Sequence, residues 1–351
     1  MNDDSARDAT QHNNLDRPIT LIDRRLDLAA RAAWLYHAKG QRQDEIAYTL
    51  NISRPIVQRL IALAAAENLI RFQLVHPLAE CISLADRIKD RFQLEYSEIV
   101  PSVARKADNV LSVAAAAALY LECLFSQAES VTVGIGGRRV ISDAALRVTP
   151  MHRPMHRLFS LMGNMTREGR AGHYDVILGL AERIGAQCYP LPMPVVANSV
   201  EEKELLQAQV SFRGSLAFAE EASTLMMGIC FMDKNAPLYA DGFITKAEQE
   251  ELIAAGAVGE TLGYCFDANG NLLDVGFCKR VTSFRLKSPP ARRTLLVQCG
   301  PERVVAIRAA LIGRLANGLI TDEETARALL DVPPTSAPPR RSGRKTGVAG
   351  N

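Results

Sequence analysis

A chain of 351 residues is long enough for two domains, and a hydrophobic share of 48% excludes a disordered or low-complexity protein. With 41 Lys and Arg against 39 Asp and Glu the whole is nearly neutral, so a nucleic-acid surface has to come from a local excess of charge. Seven cysteines without a CxxC spacing read as reduced core thiols rather than a disulfide framework or a zinc site. No apolar run of membrane-spanning length and no signal sequence is read, which points to a cytoplasmic protein.

Residues 1–20 are polar and lack periodicity, the pattern of a disordered leader. A helix-turn-helix domain is expected over residues 21–77. Its first helix runs over 26–39, with Leu28, Ala32, Leu35 and Tyr36 inward, a core around Trp34 or its neighbours, and Gly40 as the stop. The stretch 43–70 then reads as two short helices, one burying Ile46, Ala47 and Leu50, the other Val57, Leu60, Ile61 and Ala64. Asn51 between them tolerates the left-handed backbone of a tight turn, Ser53 stands at the cap position, and Pro55 falls in the first turn, where no donor is needed. Gln43, Ser53, Arg54, Pro55, Gln58 and Arg59 are left as groove-reading and phosphate-binding residues for double-stranded DNA. Between Arg24 and Arg71 about eight Arg or Lys stand against four Asp or Glu, so the module carries the charge that the total hides.

The apolar, β-prone stretch 71–77 suits a strand or wing, and 78–97 is read as a linker helix region. Along it Leu78, Cys81 or Ile82, Ala85, Ile88 and Phe92 form a stripe that packs on the following domain or pairs two subunits. From 98 to 331 strands alternate with helices, the mark of an α/β domain with a mostly parallel sheet. Strands are expected near 98–100, 131–135, 157–162, 223–229 and 294–299, with helices near 108–126, 174–184, 200–208, 211–220, 245–255, 302–315 and 322–330. An Asn-Gly turn within 266–273 signals a hairpin, its Asp267 and Asn269 shaping the turn. The remainder, 332–351, rich in Pro, Gly and basic residues, reads as a flexible tail. Gly134, Gly136 and Gly137 follow a predicted strand, at the sheet edge where α/β proteins bind ligands and where backbone amides can approach an anion. A tight strand-to-helix turn explains the same glycines equally well.

Taken together, RAAWLYHAKGQRQDEIAYTLNISRPIVQRLIALAAAENLIRFQLVHP, VTVGIGGRRV, CYPLPMPVVANS, AAGAVGETLGYCFDANGNLLD and LITDEETARALL resemble the SorC family of sugar-responsive transcriptional regulators, over residues 26–330. The resemblance implies a helix-turn-helix joined to an effector domain similar in fold to sugar-phosphate isomerases and deaminases. It also implies a homo-tetramer or dimer, and control of a sugar or polyol catabolic operon by a small sugar, polyol or sugar phosphate. The family's glycine loop resembles GxGWGRT; here Gly137 takes the Trp position, Arg138 the last Gly and Val140 the Thr. Loss of the Thr hydroxyl argues against the usual phosphate cradle, while Arg138 and Arg139 offer charge in its place. The same resemblance carries over Gly163 and Asn164, Asn198 where the family has Asp, Glu260 as a hydroxyl acceptor, and Arg303 where the family has Lys. No catalytic residue and no cofactor is implied.

The rival reading is a sugar-phosphate isomerase or deaminase with an appended DNA-binding module. It needs an acid–base pair that the histidines do not offer: His152 and His156 are interrupted by Pro154, against a metal pair, and His173 sits in a glycine-rich loop. A purely architectural DNA-binding protein would leave the α/β domain without a role.

Overall fold

A computed structural model of the protein describes residues 21–70, 79–103, 105–137, 139–166 and 176–331. The expected leader, wing and tail, and with them Leu78, Arg138 and His173, lie outside the described residues. The chain divides into two compact units, residues 1–76 and 77–351.

The first unit holds three helices, α1 (Leu21–His37), α2 (Gln43–Leu50) and α3 (Arg54–Ala66). Ala29, Ala32 and Ala33 of α1, Ile46 of α2 and Val57, Leu60 and Ala64 of α3 form its core. Ala32 is buried and Leu28 and Leu35 pack against the core as expected, and Ala33 beside Trp34 is buried too, whereas Trp34 and Tyr36 themselves stay outside it. Trp34 is half exposed, with the Lys39 ammonium 5.0 Å above its ring, and Tyr36 is also exposed. Asn51 closes α2 in the left-handed region, φ 51° and ψ 47°. There its N–H donates to the Tyr48 carbonyl at 3.2 Å, and the Ile52 N–H to Ala47 at 3.0 Å, the paired bonds of a Schellman stop. Asn51→Ala is therefore expected to cost about 1 kcal/mol, read as a lower thermal midpoint with unchanged helicity.

In the second unit α4 (Ala79–Phe92) leads to β1 (Tyr96–Val100), α5 (Lys106–Phe125), β2 (Thr132–Ile135), α6 (Arg139–Arg147), β3 (Arg157–Ser160), α7 (Ile177–Ile184) and β4 (Gln187–Tyr189). There follow α8 (Val200–Gln207), α9 (Val210–Glu221), β5 (Thr224–Met227), β6 (Cys230–Phe231), α10 (Pro237–Ala240), α11 (Lys246–Ala254), β7 (Gly259–Thr261) and β8 (Tyr264–Phe266). The unit ends with α12 (Gly276–Lys279), β9 (Arg293–Val297), a 3-10 turn (Pro301–Arg303), α13 (Val304–Ile312), β10 (Gly318–Asp322) and α14 (Glu323–Asp331). Seven strands form one parallel sheet in the order β1-β10-β9-β5-β2-β3-β4, while β6-β7-β8 form a small antiparallel sheet.

Alternate residues of the parallel strands feed two cores, as a period of two requires when both faces are covered. Val133, Ile135, Leu158, Met226, Leu295 and Val297 meet α5, α6 and α7 on one side. Phe159, Leu225, Met227, Leu296 and Leu319 face the other, where Cys81, Leu84, Ile88 and Phe92 of α4 join them. The α4 stripe thus packs within its own chain, through Leu84 in place of the expected Ala85 as the buried position, and Ile82 is exposed. Apolar length corrects one reading: Asp108–Phe125 of α5 is long and apolar enough to cross a membrane, but half of that span is buried in the core.

Strand order also marks a candidate ligand edge. From β2 the chain moves outward to β3 and β4, then returns to lay β5 on the other side of β2 and proceeds to β9 and β10. The connections that leave the carboxyl ends of β2 and β5 therefore run in opposite directions, the topological switch point at which open α/β sheets leave a crevice.

The expected Asn-Gly turn is present, with Gly270 at φ 76° and Phe266 bridged to Leu272. Burial pushes the Asp267 carboxyl up, but hydrogen bonds from the Asn271 side chain and from the backbone of Asn271, Asn269 and Gly270 outweigh it and hold the group below its ordinary 3.8. A lowered acid stabilises the fold above its unfolded value and loses that contribution as pH falls through the folded one. The gap in melting temperature between the protein and Asp267→Asn should accordingly shrink from pH 6 to about pH 3; a constant gap would contradict the assignment.

Candidate functional sites

Burial of Val57, Leu60 and Ala64 turns the remaining face of α3 to solvent, and Ser53, Arg54, Pro55, Gln58 and Arg59 are all exposed. Ser53 occupies the cap position, yet its hydroxyl makes no capping bond; its carbonyl instead receives Ile56 and Val57 N–H at 2.9 and 3.1 Å. Gln43 opens α2 and is half-buried. The module's acids are drawn onto neighbouring arginines: Asp27 on Arg31 at 2.8 Å, Glu45 on Arg42 at 3.5 Å, and Asp44 on Arg54 at 3.5 Å. Asp44 on α2 was not singled out in the sequence, and it steadies the guanidinium at the start of the reading helix. A helix with two arginines and a glutamine projecting from its first turns fits the width and the donor pattern of a major groove.

In the second unit the glycines divide. Gly134 lies inside β2, not after it, and a Cβ there would come within 2.5 to 2.8 Å of Phe159, Leu161 and Leu225. It is a packing glycine, which corrects its place in the predicted ligand loop. Gly136 and Gly137 do follow the strand, and the Gly136 N–H donates to Met226 at 2.8 Å, holding the turn against β5. A Cβ on Gly136 would meet Leu262 Cδ2 at 2.5 Å. Leu262 belongs to the β7–β8 hairpin turn, with φ 54° at Leu262 and 86° at Gly263. That hairpin, unforeseen in the sequence, forms a roof over the switch point. Thr261 Oγ1 ties it to the Gly228 carbonyl at 2.9 Å, beyond the end of β5.

Glu260 sits in the middle of β7, wholly buried, rather than on a surface helix; its Oε1 accepts the Gly263 N–H at 2.6 Å. Across the small sheet it faces Cys230, whose neighbour Phe231 lies 5.9 Å from the Arg303 guanidinium. Arg303 falls in the 3-10 turn ahead of α13, pairs with Glu302, and donates to the Cys299 carbonyl at 3.4 Å. Its Nε is buried with no hydrogen-bond partner among the described residues, which costs free energy unless another molecule accepts it. Gln298, also missed in the sequence, braces this corner by donating to Ile229 at 2.7 Å. Burial, reinforced by the Asp322 carboxylate, pushes the Cys299 thiol up to about 12, so it stays neutral.

Gly163 follows β3, where a Cβ would strike the Met193 carbonyl oxygen at 2.4 Å, and Asn164 next to it is half-buried. The 193–195 segment so approached continues to Val195, which rests against Gly263, linking the β3 end to the roof. Arg139 opens α6 and is exposed. Asn198 is set apart, exposed ahead of α8 with its N–H bound to Glu202 at 2.6 Å. His156 is a core residue, its Nε2 2.9 Å from the Phe125 carbonyl oxygen.

A DNA-reading module and a sheet with a roofed switch point, in one chain, make up a ligand-responsive DNA-binding regulator. Residues 76–331 match the family model described as a putative sugar-binding domain. The chain belongs to the SorC family of sugar-binding transcriptional regulators. It is 32% identical over 306 residues to the erythritol catabolism regulatory protein EryD of Brucella abortus (strain 2308), spanning 87% of this chain and 97% of that protein. Identity to the transcriptional regulator LsrR of Klebsiella pneumoniae is 28% over 316 residues, spanning 87% and 93%. In fold it is similar to the full-length sorbitol operon regulator SorC from Klebsiella pneumoniae, with a TM-score of 0.69 at 21% identity, covering 87% of this chain and 98% of that one. These relatives are regulators, so the protein is a sugar-responsive, DNA-binding transcriptional regulator and the enzyme reading is set aside.

Proposed function

We propose that the protein controls a polyol catabolic operon by binding double-stranded operator DNA through Gln43, Ser53, Arg54, Pro55, Gln58 and Arg59, and a small polyol or its phosphate at the switch point. Gly136, Gly137, Arg138, Arg139, Gly163, Asn164, Glu260 and Arg303 are the effector contacts, and Asn198 a peripheral one. The observation that carries the effector half is the Arg303 Nε, buried with no hydrogen-bond partner among the described residues, a donor open to a hydroxyl or phosphate oxygen. Similarity to an erythritol catabolism regulator supports the polyol class. Kinship of the effector domain with sugar-phosphate isomerases, action as a cytoplasmic homo-tetramer or dimer, and a division into a leader (1–20), DNA-binding domain (21–77), linker helix (78–97), effector domain (98–331) and basic tail (332–351) complete the reading.

The test is a thermal-shift screen over four- to six-carbon polyols and their phosphates. A saturable rise in melting temperature with at least one of them is expected, without turnover of the compound. No shift across the panel, or consumption of the compound, would overturn the reading.

A further inference from the structure

We propose that Ile56 reads the methyl group of a thymine in the operator, beside a guanine read by Arg59. This assignment rests on the operator reading above and adds to it a side chain that discriminates by apolar contact rather than by hydrogen bonding. Val57 and Leu60 of α3 are buried in the core of the first unit, and Ile61 and Leu63 pack against it. Among the described residues Ile56 is the one large aliphatic side chain of α3 left out of that core, and it is 41% exposed. The start of the helix does not call on it either: Ile52 and Val57 stand at the two staple positions that flank the Ser53 cap, and both lie on the core side. Its N–H is already given to the Ser53 carbonyl at 2.9 Å, so the side chain is what it offers to a ligand.

A single exposed isoleucine on a bare surface needs no explanation. This one lies in the first turn of the helix, with Arg54 two residues before it and Gln58 two residues after it, both exposed. A recognition helix presents that turn to base edges. In the major groove thymine offers an apolar group, its 5-methyl, and an aliphatic side chain against it removes both from water. Arg59, also exposed, is three residues on and so the neighbour of Ile56 along the helix surface, with Cβ atoms about 5–6 Å apart. That separation spans one or two steps of about 3.4 Å along a strand. Since the commonest specific contact of an arginine is to O6 and N7 of guanine, the thymine falls within about two base pairs of that guanine.

Selection of DNA from a random pool by the full chain and by its Ile56→Ala and Arg59→Ala variants tests this, followed by replacing each thymine of the wild-type fragment with deoxyuridine, which lacks only the 5-methyl group. At a thymine close to an Arg59-dependent guanine, the replacement should weaken wild-type binding about fourfold, the effect of one buried methyl group, and leave Ile56→Ala binding unchanged. The pool selected by Ile56→Ala should lose its preference at that position and keep the guanine, whereas Arg59→Ala should lose the guanine. The thermal midpoint of Ile56→Ala should not fall, because the core does not use the side chain. Tolerance of deoxyuridine at every thymine, or a sensitive thymine that Ile56→Ala still feels, would overturn the proposal. So would an Ile56→Ala variant that keeps every base preference and instead melts lower or loses self-association, which would make the residue a packing or subunit contact. A wild type that enriches no sequence would overturn the operator reading itself.

Discussion

Replacing Arg54 and Arg59 together with alanine is expected to weaken operator binding by roughly two to four orders of magnitude, since each guanidinium reading a base or phosphate contributes about 1–3 kcal/mol. The folded module should be untouched, because Val57, Leu60 and Ala64 hold α3 in place and neither arginine enters that core. Arg54 gives up its ion pair with Asp44, but both side chains are well over half exposed, and such a pair is worth at most about 1 kcal/mol. The residual binding should also depend less steeply on salt, as fewer counterions are released. Effector affinity measured by calorimetry should stay near wild type. A parallel loss of effector binding would contradict the division of labour between the two units.

Gly136→Val is expected to do the reverse, lowering effector affinity tenfold or more while leaving operator binding without effector intact. Its Cβ would arrive 2.5 Å from Leu262 Cδ2 and 3.3 Å from Met227 Cβ. Leu262 has little room to swing, because its side chain is buried in the core. The roof as a whole must lift, at about 1–3 kcal/mol of stability. Gly134→Ala is the control. It wedges into Phe159, Leu161 and Leu225 in the core below, so it should lower the melting temperature without selecting against the effector. Wild-type effector affinity in Gly136→Val would remove the switch point from the site.

The DNA-reading module was legible because its signals are local: a helical period, an Asn at the turn, a Pro in the first turn. What misled was size, since Trp34 drew attention as a core residue and the alanines beside it, small enough to bring helices together, hold the core. Strands β2, β5 and β9 announced themselves as apolar runs. β4, β6, β7 and β8 did not, being two or three residues long and too short for alternation to register, and β10 was missed although it is as long as β9. The Asn-Gly turn at 269–270 was found, whereas the Leu262–Gly263 turn has Leu where a two-residue turn favours Asn or Gly, and escaped notice. That omission matters most for the site, because Glu260 is buried in this hairpin and accepts from its Gly263 N–H. Gly134 shows the opposite error: it falls within the expected strand 131–135 yet was counted with the ligand loop, and Phe159, Leu161 and Leu225 packed around it make it a strand glycine.

Reciprocal coupling between the two ligands tests the central claim most directly. Take the polyol or polyol phosphate that raises the melting temperature and a DNA fragment selected by the protein from a random pool, and measure the affinity for each with and without the other. The account predicts that the effector changes operator affinity by a definite factor and that the DNA changes effector affinity by that same factor. Both ligands binding with neither altering the other's affinity would contradict it.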